Sequence, residues 1–66
     1  MRLNTNTINF TTSTESLRDH VKATGGDLAR FDAFNRLGMG AAYCHALNGH
    51  RYMAWMLTYD VAQLAA

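Results

Sequence analysis

Apolar and polar residues alternate along this chain with three different spacings, and each spacing predicts a different element. Residues 2–12 read Arg-Leu-Asn-Thr-Asn-Thr-Ile-Asn-Phe-Thr-Thr. Ile8 and Phe10 are two apart, so an extended backbone would point both to one face. The threonines favour an extended chain over a helix. The spacing therefore predicts an extended arm over residues 1–12. Its unpaired backbone groups need a neighbour: the helices of its own chain, a second copy, or the sheet edge of another protein.

A helical pattern follows. Thr12 and Glu15 have the spacing of a capping box, which predicts a helix over residues 13–24. Its apolar stripe is narrow: Leu17, Val21 and Thr24. Glu15, Arg18, Asp19 and Lys22 make the rest a solvated face. Gly25-Gly26 ends the helix, because glycine accepts the left-handed conformation found there.

Asp27 caps the next helix. Leu28, Phe31, Phe34 and Leu37 recur every three residues as one apolar stripe, and Ala41 and Cys44 continue it in phase. The expected helix spans 27–47, either running through Gly38-Met39-Gly40 or broken there. Gly38, Ala42 and His45 would form a flat face, and Asp32 and Arg36 an i,i+4 pair opposite the stripe.

Asn48-Gly49 is a turn with two readings. Between helices it is a C-cap; between strands it is a strong hairpin signal. The Ala, Met, Leu and Gln content after Gly49 favours a third helix over 50–64. The fold class expected is mainly α: a small domain of about three helices behind an extended N-terminal arm. The alternative is α+β, with the arm and a hairpin at Asn48-Gly49 forming a small sheet.

The third helix would be apolar on two faces. Tyr52, Trp55, Met56 and Tyr59 share one; Met53, Leu57, Val61 and Leu64 share another. A helix apolar most of the way round is normally buried on both sides. A chain of 66 residues forms a single domain, 1–66, with few elements to provide that cover. The surplus predicts an apolar patch left for a partner protein or for a second copy, unless the arm covers it. One cysteine rules out an internal disulfide, so extra stability must come from a partner, self-association or tight helix packing.

Charge narrows the partner classes. The net charge is +1, which makes nucleic acid and anionic membranes weak attractors. The longest purely apolar run, residues 52–57, is far too short to span a bilayer. No basic region followed by an apolar stretch stands at the N-terminus, so a signal peptide is not expected and a cytoplasmic location is.

Catalytic raw material is sparse. Cys44-His45 with His50 lacks the i,i+3 or i,i+4 spacing of a metal pair, since adjacent helical residues diverge by about 100°. Cys44 on the apolar stripe reads as a small core residue. No Ser-centred motif, carboxylate pair or phosphate-cradling loop is present, so neither an enzyme nor a cofactor is expected.

Residues 33–49 resemble a helix-turn-helix of the phage and bacterial repressor type. Gly38 sits at the turn, flanked by Leu37 and Met39, with Cys44 and Leu47 at apolar positions of the would-be recognition helix. That resemblance implies a small, dimeric DNA-binding regulator with Arg36 and Arg51 on phosphates. Two features depart from the pattern. Phe34 stands where close helix approach wants a small side chain. The reading positions Gly40, Ala41, Ala42, His45 and Ala46 offer little that hydrogen-bonds to bases.

The function expected is a small non-enzymatic protein-binding module. It would dock Tyr52, Trp55, Met56 and Tyr59, with Arg51 and His50 on the rim, onto a larger host protein or complex. Its size and lack of chemistry suggest a phage or mobile-element inhibitor, for example of a defence complex.

Overall fold

The computed structural model describes residues 8–65. The fold is mainly α. Three α-helices, α1 (Thr14–Thr24), α2 (Leu28–Asn35) and α3 (Gly40–Leu47), are followed by two 3₁₀ helices, Arg51–Leu57 and Val61–Ala65. No strand occurs among the described residues, so Asn48-Gly49 ends a helix rather than turning a hairpin.

The expected arm differs from the structure where it can be checked; residues 1–7 lie outside the described residues. Ile8 is buried, but Phe10 is 91% exposed. A turn separates them. The Thr12 amide donates to the Asn9 carbonyl at 3.0 Å, and the Asn9 side chain accepts from the Thr11 amide at 2.8 Å. Asparagine side chains close such turns readily, which overrides the two-residue alternation. Thr12 is also not the cap of α1. Its hydroxyl accepts from the Asn9 amide at 3.0 Å, while Ser13 caps the helix by accepting from the Ser16 amide at 3.1 Å.

All three α-helices end in the same way. The Gly25, Gly38 and Gly49 amides bond back to Lys22, Asn35 and Ala46, and the next amides bond to Val21, Phe34 and His45. These paired bonds define the Schellman motif, and the three glycines hold φ at 74°, 77° and 91°. At Gly38 this geometry breaks the helix expected over 27–47. The in-phase stripe across the break misleads, because Leu37 lies in the turn and is 54% exposed.

α3 is the centre of the molecule. It packs on α1, on α2 and on the first 3₁₀ helix. Gly40, Tyr43, Cys44 and Ala46 are buried, and no residue from 40 to 48 is classed as exposed. Gly40 lets α3 start tight against α2: a Cβ there would collide with the Asn35 side chain and lie 3.1 Å from the Phe31 ring. The core joins Leu17 and Val21 of α1, Phe31 and Phe34 of α2, Tyr43 and Cys44 of α3, and Met56. Tyr43 stacks on Phe34, with ring centroids 6.0 Å apart, and its hydroxyl accepts from the Asp27 amide at 3.0 Å. That bond ties the start of α2 to the middle of α3.

Asp32 does not pair with Arg36. It accepts from Arg18 of α1 at 2.7 Å, and Arg18 also lies over the Phe31 ring at 5.7 Å. A cross-helix pair anchored on an aromatic face is better ordered than an i,i+4 pair in open solvent.

Candidate functional site

The helix expected over 50–64 is instead two 3₁₀ segments parted at 58–60. This change of period rearranges the candidate site. An α-helix turns 100° per residue, which groups Tyr52, Met56 and Tyr59. A 3₁₀ helix turns 120°, so positions i and i+3 eclipse one another. Burial follows that period within Arg51–Leu57: Met53 and Met56 face inward, while Tyr52 and Trp55 form one exposed row. Ala54 and Leu57 form a second exposed row.

Met56 is therefore no part of a docking surface. It is fully buried and belongs to the core. Tyr59 is half-buried, set against Phe34 at 6.1 Å and Trp55 at 5.5 Å between ring centroids. Its carbonyl accepts from Arg30 Nη2 at 3.2 Å, which fixes the segment between the two 3₁₀ helices onto α2.

The remaining expected residues lie along the outside. Tyr52 is 69% exposed and Trp55 47% exposed. Trp55 stands edge-on to the buried Phe34 ring at 5.8 Å, so one side of the indole is anchored while the other meets solvent. Arg51 lies over the Tyr52 ring at 5.0 Å and donates to its hydroxyl at 3.1 Å. His50 is half-buried, with its ring 5.8 Å from Tyr52 and 5.9 Å from His45. An aromatic side chain held at its base by a core ring keeps little rotamer freedom to lose on binding.

A second surface feature involves α2. A groove of about 290 Å³ runs between α2 and the second 3₁₀ helix, lined by Ala33, Arg36, Leu37, Val61 and Leu64 among others. Sequence reading placed Leu37 in the core, and so missed it as a surface residue. The signal that could have found it is Gly38: a residue directly before a left-handed glycine belongs to the helix end, where the stripe no longer governs orientation.

The titratable candidates are occupied by structure. Burial pushes the Cys44 thiol up to about 11, and its Sγ lies 3.6 Å from the Leu17 carbonyl. His45 donates from Nε2 to the Ile8 carbonyl at 2.9 Å, and His20 is paired through Nε2 with the Asn48 side-chain oxygen at 2.8 Å. Among the described residues no three His, Cys, Asp or Glu side chains converge as a metal site, and no helix is long and apolar enough to cross a membrane. Comparison with protein-family models, with curated proteins and with solved structures returned no match.

Proposed function

We propose that this chain is a small non-enzymatic protein-binding module, which acts by docking the exposed row Tyr52 and Trp55 onto a larger protein. Tyr59 supports that row from beneath, and Arg51 and His50 form its rim. The single observation that carries the reading is the exposure of Tyr52 and Trp55 beside a fully buried Met56 on the same 3₁₀ helix. The helix already has its inward row. Its two largest side chains nevertheless face water, and Trp and Tyr are the side chains enriched among the residues that carry binding energy at interfaces.

The helix-turn-helix reading finds less support. Docking in a major groove needs a recognition helix with a free face. α3 occupies that place in the sequence, and its residues 40–47 are buried or only partly exposed. The wider role follows the same reading: an inhibitor from a phage or other mobile element, working in the cytoplasm by occupying a site on a host protein or defence complex. The small size of the chain and the outward-facing Tyr52 and Trp55 are what support it.

Capture from nuclease-treated lysate of the native host, washed at high salt, tests the proposal. The full chain should retain a stoichiometric protein, because burial of an apolar patch responds little to salt while phosphate contacts are lost steeply. The Tyr52→Ala/Trp55→Ala double variant should fold, by circular dichroism, and retain nothing. Undiminished capture by the folded double variant would move the interface elsewhere.

A further inference from the structure

All five acidic side chains of this chain lie within the described residues, so their partners on this surface can be followed one by one. Asp32 holds Arg18 at 2.7 Å, and Asp27 holds Arg30 at 3.2 Å while capping α2 through the Ala29 and Arg30 amides. Asp60 caps the second 3₁₀ helix, accepting from the Ala62 amide at 3.1 Å. Glu15 and Asp19 are exposed on α1.

Among the described residues two arginines are left without a carboxylate, one on the aromatic row and one in the groove along α2. Arg51 stacks on Tyr52. Arg36 lines the groove beside Leu37, and its Nε reaches only the Asp32 backbone carbonyl, at 3.4 Å. Both are exposed. A guanidinium presents a planar fork that matches a carboxylate, and one already held over a ring has little freedom left to lose.

We infer that the partner docks through an acidic segment, with carboxylates meeting Arg51 and Arg36 and apolar side chains covering Trp55 and the groove between α2 and the second 3₁₀ helix. The inference rests on the docking reading and specifies the chemistry of its partner. A second copy fits this surface poorly. A two-fold pairing of like patches would bring Arg51 and Arg36 towards their own copies, with only the cap residue Asp60 to answer them. Nucleic acid fits it poorly as well: Arg18 and Arg30 are already neutralised, which leaves few cations here to displace counterions.

The test uses a displayed library of random short peptides selected on the immobilised full chain. Binding is then titrated by the fluorescence of Trp55, the chain's one tryptophan. The selected peptides should combine several Asp or Glu residues with large apolar ones. Arg51→Glu and Arg36→Glu should each weaken them by roughly tenfold or more, since like charges oppose across the contact. Lys22→Glu, on α1, should have much less effect. Tyr52→Ala should weaken all of them, and its high exposure keeps the variant folded.

Selected peptides that need Tyr52 but lack acidic residues, or that ignore both arginine reversals, would overturn the acidic partner and leave the docking reading standing. No peptide whose binding needs Tyr52 would overturn both. Tighter binding of a thymidine oligonucleotide, or a dimer in solution that shields Trp55 from quencher, would overturn the inference in favour of nucleic acid or a second copy.

Discussion

At the residue scale, one side chain separates core from surface on the first 3₁₀ helix. Met56 is fully buried and Tyr52 is 69% exposed, although an α-helical reading sets them on one face. Met56→Ala should therefore cost about 2–5 kcal/mol, the range for deleting a large core side chain. Tyr52→Ala should stay within about 0.5 kcal/mol, as surface substitutions usually do. Urea unfolding of both variants checks the pair, and similar losses would contradict the 3₁₀ register. Cys44 offers an independent probe of the core. Its thiol ionises at about 11 in the fold against an ordinary value of 9.0, because burial disfavours the thiolate. The fold thus holds the proton more tightly than the unfolded chain does. This contribution is full below pH 9 and is lost as the pH rises from 9 towards 11. The stability difference between wild type and Cys44→Ala should be flat below pH 8 and shrink across that window, by on the order of 2 kcal/mol. A difference that stays flat to pH 11 would mean that the thiol is not buried as described.

At the scale of elements, three glycine-ended helices set the architecture. Gly38→Ala places a Cβ at φ 77° and should destabilise the fold by about 1–2 kcal/mol, with no steric contribution because open space surrounds that position. Thermal unfolding would check this, and a neutral result would imply that the helix runs through residue 38. The same glycines show how far the fold could be read from the sequence. Leu17, Val21, Phe31, Phe34 and Cys44 were legible as core because they sit mid-helix, where the period is reliable. Leu37 was not, because it lies at the break. Phe10 was not, because the Asn9 side chain turns the chain before it. The cap of α1 fell on Ser13, one residue from the position read, because Thr12 is engaged in that turn. The largest change came after Gly49. Intrinsic propensity favours an α-helix there, yet within Arg51–Leu57 only Met53 and Met56 find cover, and a spacing of three is the period of 3₁₀. At about 2.0 Å per residue against about 1.5 Å, the 3₁₀ helix also reaches further for its length. Of the candidate site, Tyr52, Trp55, Arg51 and His50 were legible from composition and position, whereas Met56 depended on the helix type.

At the scale of the whole molecule, the fold spends its central helix on its own core and turns aromatic side chains outward on the last third of the chain. α3 is covered by α1, α2 and the first 3₁₀ helix. Tyr52, Trp55 and Leu37 remain exposed, and Phe34 anchors Trp55 from below. A domain this small buries only about 60% of its unfolded surface, so exposed apolar area is ordinary in amount. Its organisation is what supports docking: one ordered aromatic row with Arg51 stacked on it, and a groove along α2 lined by Arg36, neither arginine holding a carboxylate. The most direct test is photo-crosslinking in the native host, with a photoreactive phenylalanine analogue in place of Tyr52, or, as a control, of Asp19 on the exposed face of α1. One dominant protein crosslink is expected from position 52 and none from position 19. Equal crosslinking from both positions, or none from position 52 in a folded and expressed chain, would contradict docking through Tyr52.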